Sequence, residues 1–246
     1  MRKSSFTSRI STLIKAGVAV IALAASAAPA MAAEEAPEAE SSITVSGSVT
    51  AVSDYRFRGV SLSDEDFALQ PTITVSHDSG FYAGLWGSNL GKSLKPVYGD
   101  IEIDLYAGWT KEVASGLTVD AALVYYYYPD GTGASDYFEP YFSLAQTFGP
   151  VTAKAGINWA PSQSATGNNN FTYLYGQLGV AIPNTPITLT GRLGTQDLGP
   201  ASYTEWAIGA TATFKAFTLG LQYTDTDLGG LPNVDPGIVA SISFAF

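Results

Sequence analysis

Val239-Ala240-Ser241-Ile242-Ser243-Phe244-Ala245-Phe246 is the stretch on which the reading of the fold turns. Ala240, Ile242, Phe244 and Phe246 fall on one face of a strand; Ser241, Ser243 and Ala245 fall on the other. A period of two with one apolar face marks a half-buried β-strand. A free strand edge carrying two aromatics invites edge-to-edge aggregation in water. The expectation is therefore a strand that closes a barrel and turns its apolar face to lipid. An ordinary terminal strand of a β-sandwich is the competing reading, and the rest of the chain weighs against it.

The 246 residues include no cysteine, which removes disulfides, thiolate metal sites and cysteine nucleophiles. Aromatics are abundant (14 Tyr, 12 Phe, 4 Trp), charged residues make up only 14%, and acids outnumber bases 22 to 12. No basic stripe is available to neutralise phosphates, so no nucleic acid partner is expected. Arg2, Lys3, Arg9 and Lys15 accompany an uncharged, alanine-rich run from Ala16 to Ala33, and Ala30-Met31-Ala32 has the small-x-small pattern of an export cleavage site. The run carries Pro29 and is short for a membrane helix. The expected organisation is a signal peptide over 1–32, a disordered periplasmic lead-in over 33–42 and a barrel over 43–246. No other stretch approaches the roughly 18–20 apolar residues of a spanning helix, so an inserted mature chain must cross as strands.

About twelve strand-like runs follow Ile43, near 43–57, 68–76, 81–90, 99–112, 117–128, 137–147, 151–160, 171–182, 187–194, 203–213, 217–226 and 237–246. Tight connections at 77–80, 113–116, 148–150, 183–186 and 214–217 alternate with longer ones at 58–67, 91–98, 129–136, 161–170, 195–202 and 227–236. Short periplasmic turns, longer outer loops and an even strand count are the pattern of bacterial membrane barrels. The fold class expected is all-β, a transmembrane antiparallel up-and-down barrel in the bacterial outer membrane. Side chains fill an eight-stranded barrel but struggle to fill a wider one, so the apolar faces should point out to lipid and the polar faces in.

With that facing, the ionisable residues of the inner faces are Asp54, Arg56, Arg58, Glu102, Asp104, Asp120, Glu139, Lys154, Arg192 and Glu205. An outward Arg or Lys at mid-membrane would cost about 2–4 kcal/mol, a cost that disappears in a polar lumen. Charge lining a pore selects ions, and six acids against four bases favour cations mildly. The same charges could instead pair across the lumen and plug it. Aromatics gather at strand ends as two girdles: Tyr125–Tyr128, Tyr137, Phe138, Trp159, Phe171 and Tyr173 on the outer side; Phe81, Trp109, Phe148, Phe214, Phe217 and Phe246 on the inner.

Val52-Ser53-Asp54-Tyr55-Arg56-Phe57-Arg58-Gly59-Val60-Ser61, Gln70-Pro71, the run from Gly80 to Asn89 and Glu102-Ile103-Asp104-Leu105-Tyr106-Ala107-Gly108-Trp109 resemble the signature of the TorF-type porin family of small outer-membrane proteins. The likeness is sharpest over 50–130. It implies a β-barrel porin without supplying a solute. The aromatic ending at Phe246 also resembles the signal by which barrels are recognised for insertion. That makes the barrel-assembly machinery an expected partner, beside outer-membrane lipid, lipopolysaccharide and small solutes or ions.

Enzyme signals are sparse. His77 is the single histidine and falls in a tight turn; no G-x-S-x-G occurs. Gly87-Ser88-Asn89-Leu90-Gly91-Lys92-Ser93 approaches a phosphate loop but is one residue short and leads into a loop and strand rather than a helix. The acidic segments Asp64-Glu65-Asp66 and Asp225-Thr226-Asp227 lack EF-hand spacing and read as solvated loops. The expected function is passive diffusion of small hydrophilic solutes or ions through a charge-lined lumen, with no enzyme activity and no cofactor or metal. The alternative is a closed barrel serving as a surface or structural protein.

Overall fold

A computed structural model describes residues 42–246. The expected signal peptide, and all of the lead-in except Ser42, lie outside the described residues. Twelve strands form one closed antiparallel barrel: β1 (Ile43–Val52), β4 (Ala68–His77), β5 (Phe81–Asn89), β6 (Ile101–Ala114), β7 (Leu117–Tyr127), β8 (Tyr137–Phe148), β9 (Val151–Ala160), β10 (Phe171–Ala181), β11 (Ile187–Asp197), β12 (Ser202–Phe214), β13 (Phe217–Thr226) and β14 (Gly237–Ala245). Each pairs with its neighbour in sequence, and β1 pairs with β14 to close the ring. Two further strands, β2 (Arg56–Phe57) and β3 (Val60–Ser61), form a separate small hairpin.

The seam is sealed at the last residue. The Gly47 and Phe246 backbones exchange two hydrogen bonds of 2.9 Å. A Cβ on Gly47 would lie 2.6 Å from the Phe246 ring, so this ring needs a glycine beneath it.

Alternation decides what each face meets. Leu221, Ile208 and Ile238 are 58%, 66% and 69% exposed on the outer face, whereas Glu102, Asp104 and Glu205 are 0% exposed on the inner one. An outer belt of exposed leucine, isoleucine and phenylalanine around a polar interior is the surface that a bilayer covers. None of the facings expected for β6, β9, β11 and β13 is inverted by a register slip.

Beyond shifts of one or two residues at other strand ends, two differences from the sequence reading bear on the site. The loop expected at 195–202 shrinks to 198–201, because β11 and β12 run on to Asp197 and Ser202 with continuous pairing. The first strand ends at Val52 instead of residue 57. Residues 53–67 then turn into the barrel, and residues 54–63 are buried there except for a partly exposed Arg56. The cause is local: Arg58 (φ 44°) and Gly59 (φ 85°) both adopt left-handed backbone, forming the two-residue turn of the β2–β3 hairpin.

Candidate functional site in the barrel lumen

The barrel interior has two unlike halves. Toward the short turns, lumen-facing side chains such as Ser76, Thr118, Thr152, Thr188 and Ser241 are partly exposed. Toward the long loops they are buried, and the inward-folded segment fills the space between them. Tyr55, Phe57, Val60 and Leu62 of that segment join wall residues Trp86, Tyr126, Tyr128, Phe171 and Tyr203 in one apolar cluster.

Five of the nine residues of the expected outer girdle therefore belong to the interior. Tyr125, Tyr127, Phe138 and Trp159 face out and are exposed, whereas Tyr126, Tyr128, Tyr137, Phe171 and Tyr173 face in and are buried. Strand parity separates them. Of the expected inner-girdle residues, Phe81, Phe148, Phe214, Phe217 and Phe246 are exposed on the outer face, whereas Trp109 is partly buried and donates its Nε1–H to the Ser79 carbonyl (3.0 Å). Several inward tyrosines lie flat over glycines of adjoining strands: a Cβ on Gly84, Gly156 or Gly194 would lie within 2.6 Å of Tyr106, Tyr175 or Tyr173.

The ten charges read as lumen-facing from sequence stand on two different supports. Asp54, Arg56 and Arg58 ride on the inward segment, not on a wall strand. Glu102, Asp104, Asp120, Glu139, Lys154, Arg192 and Glu205 are on wall strands.

Arg58 occupies the hairpin tip. Its Nη2 donates to Glu139 Oε1 (2.9 Å) and Oε2 (3.1 Å) on β8, and its Nη1 donates to Gln196 on β11. Its guanidinium lies over the rings of Tyr173 (4.2 Å) and Phe57 (4.7 Å). Glu139 also accepts from Asn158 (2.9 Å) and Tyr126 (3.4 Å). The tip is thus bound to two separated wall strands.

The other charges form smaller groups. Arg56 Nε pairs with Asp54, whose other oxygen accepts from Ser61 (2.6 Å); Arg56 Nη1 donates to the Asp235 carbonyl (2.7 Å). Arg192 holds Glu205 in two hydrogen bonds of 2.8 and 3.1 Å, and Tyr173 donates to the same carboxylate. Asp120 accepts from Tyr82 (2.7 Å) and Tyr141 (2.8 Å). Glu102 accepts from Tyr55 (3.2 Å) and Tyr128 (3.3 Å), while neither Asp104 oxygen has a hydrogen-bond partner.

Outside the membrane belt, Asp64 ties the inward segment to two other long loops. Its carboxylate accepts from the Ser93 amide (2.8 Å), the Ser93 hydroxyl and Asn233 Nδ2 (2.9 Å). Partial burial works to raise its pKa, but the Ser93 and Asn233 hydrogen bonds outweigh it and hold the carboxyl below its ordinary range. The phosphate-loop-like residues Gly91–Ser93 thus clasp this carboxylate: a Cβ on Gly91 would lie 2.5 Å from Asp64 Cγ. His77 Nδ1 lies 2.7 Å from Ser79 Oγ in the exposed turn after β4. Among the described residues no three or more His, Cys, Asp and Glu side chains gather as a metal site.

The sequence reading missed the inward hairpin. A signal was available in Arg58-Gly59, a glycine-containing pair flanked by Phe57 and Val60.

A closed barrel with outward apolar and inward polar faces defines a transmembrane protein of the porin and channel fold. The chain belongs to the Gcw_chp family, a bacterial protein family of unknown function, whose model matches residues 36–231. No curated protein matches it. Similar solved structures include the KdgM porin in complex with disordered oligogalacturonate (TM-score 0.57, 8% identity, 82% of this chain and 99% of that one). The NanC porin is similar as well (TM-score 0.53, 13% identity, 82% and 99%), and so is an outer-membrane channel from Pseudomonas putida F1 (TM-score 0.53, 12% identity, 86% and 99%). At these identities the likeness shows the fold.

Proposed function

We propose that the protein is a porin-like channel of the Gram-negative outer membrane, of the TorF type, for passive diffusion of small ions or hydrophilic solutes. Residues 53–67 hold it in a constricted state. The observation that carries this is how the constriction is fastened. Its tip is bound to the walls through Arg58, Glu139 and Gln196, and its base through Asp64, Ser93 and Asn233. Such polar fastenings can exchange with water one by one, whereas a wall strand cannot leave. The path is lined by Asp54, Arg56, Arg58, Glu102, Asp104, Asp120, Glu139, Lys154, Arg192 and Glu205.

Pairing sets the selectivity. Arg56, Arg58 and Arg192 are each neutralised by an acid, and the unpaired remainder is Glu102, Asp104, Asp120 and Lys154. The acidic excess favours cations. Oligogalacturonate, bound by the KdgM porin, is a polyanion and does not suit this wall. Diffusion needs no cofactor, energy input or catalytic step. Insertion uses the assembly machinery through the strand ending at Phe246, and lipid and lipopolysaccharide surround the belt.

A second reading has its own observation. Tyr55, Phe57, Val60 and Leu62 are each at most 5% exposed, which is core-like packing for a plug. A permanently closed barrel would act through its outer loops. Planar-bilayer recording of the refolded mature protein, beside a Glu102→Gln, Asp104→Asn variant, separates the two. Discrete steps whose cation preference falls in the variant are the expected result. A silent bilayer, with folding shown by heat-modifiable gel mobility, would overturn the channel and leave the plugged barrel.

A further inference from the structure

Glu102 and Asp104 stand two residues apart on β6, so both point into the lumen. Both are fully buried. The other buried lumen acids have cationic partners: Asp54 has Arg56, Glu139 has Arg58 and Glu205 has Arg192. Among the described residues no Lys or Arg pairs with Glu102 or Asp104. Glu102 receives two long tyrosine hydrogen bonds, and Asp104 receives none to either oxygen. Asp104 lies beside Glu102, yet two ionised carboxylates cannot donate to each other. Burying one carboxylate without compensation is strongly unfavourable, and two neighbours compound it.

The surroundings are rich in oxygen and π-density. Trp86 and Tyr126 occupy the cross-strand positions beside Asp104. Tyr55 reaches in from the inward segment, its ring 5.3 Å from that of Trp86. Tyr128 follows the end of β7 and brings its hydroxyl to Glu102 Oε1.

We propose that Glu102 and Asp104, with the hydroxyls of Tyr55 and Tyr128, bind one divalent cation of the calcium or magnesium class inside the occluded half of the barrel. Two carboxylates balance a double charge; a sodium ion or a shared proton would leave one negative charge buried. The donors are all hard oxygens, the preference of these cations, and trapped water supplies the remaining positions. Because Tyr55 comes from the constricting segment and Glu102, Asp104 and Tyr128 from the wall, the bound ion fastens one to the other. An ion that binds only this arrangement stabilises the occluded state by mass action. The site does not depend on conduction.

Terbium is the probe, since it takes calcium-type oxygen sites and its emission is sensitised by nearby tyrosine and tryptophan. The refolded mature barrel should show one saturable sensitised site, displaced by calcium. Asp104→Asn should weaken it roughly thirtyfold or more. Asp78→Asn, in the exposed short turn after β4, should leave it unchanged. If Asp104→Asn does not fold, elemental analysis of the wild-type barrel after dialysis from calcium buffer should still find one calcium per chain. Three results would overturn the site: no retained calcium and no sensitised emission, equal emission from Asp104→Asn, or an infrared carboxylic-acid band lost in that variant with no calcium bound, which would reveal a shared proton. A silent bilayer with a full calcium complement removes the channel and leaves the site; conductance without calcium does the reverse.

Discussion

Replacing Arg58 with alanine removes the fastening at the hairpin tip. Arg58 is 5% exposed and makes two hydrogen bonds to Glu139, one to Gln196 and two ring contacts. Removing one partner of a buried ion pair costs about 3–5 kcal/mol, because the other charge is left behind. Glu139 would keep only Asn158 and Tyr126. The desolvated cation–π contact adds about 2 kcal/mol. Alanine keeps a Cβ, so the left-handed backbone at residue 58 (φ 44°) is not relieved and offsets nothing. The loss is therefore about 5–7 kcal/mol, which shifts the balance between inserted and released segment by about 5,000- to 140,000-fold. Bilayer recordings should show longer or larger openings for Arg58→Ala than for wild type, with heat-modifiable mobility showing that the barrel is intact. Arg58→Lys should fall between them, since an ammonium keeps the charge but not the two-pronged geometry. Wild-type conductance together with wild-type amide exchange across 53–63 in Arg58→Ala would refute the reasoning.

The hairpin tip also has a steric test: a Cβ on Gly59 would lie 2.3 Å from Thr226 Cγ2, so Gly59→Ala should release the segment much as Arg58→Ala does, read by proteolysis of the intact barrel. Leu221→Arg, on the exposed face of β13, should lower barrel stability by about 2–4 kcal/mol in lipid urea titrations, whereas Gln222→Arg on the lumen face should cost much less. Deleting Phe246, or replacing Gly47 with leucine, should lower the yield of closed barrel, because each removes one side of the seam. Asp64 has a depressed pKa, so its contribution is full above the ordinary carboxylate value of about 4 and is lost as pH falls through the lower folded value. Amide exchange at Ser93, whose N–H donates to Asp64, should accelerate over that acid range beyond its intrinsic trend and not in Asp64→Asn.

The wall was legible because period-two alternation is enforced wherever lipid meets one face and a polar lumen the other. Ile101-Glu102-Ile103-Asp104-Leu105 fixes the facing of β6 without ambiguity. Alternation failed where it had no contrast. Tyr125-Tyr126-Tyr127-Tyr128 gives no apolar-polar difference, so two inward tyrosines looked like part of an outer girdle. It failed again over Tyr55-Arg56-Phe57, where an apolar-charged alternation continues the rhythm of β1 but belongs to a segment that has already turned inward. Residues that pack inside a barrel obey the same alternation as residues that meet lipid. Only three-dimensional placement shows that Phe57 and Leu62 cover the lumen and not the membrane. The charges carried by that segment stand together in the sequence, but their support and partners follow from the left-handed turn at Arg58-Gly59.

The most direct test of the constricted barrel uses its freedom from cysteine. Single cysteines at Thr152 in the open half and at Ser143 and Asn158 in the occluded half report water access in liposome-reconstituted protein. Thr152 is partly exposed, whereas Ser143 and Asn158 are 2% and 6% exposed. A hydrophilic maleimide should label Thr152→Cys rapidly, label the other two slowly, and label all three rapidly once Arg58→Ala is added. Equal, rapid labelling of all three in the otherwise wild-type barrel would contradict the constriction.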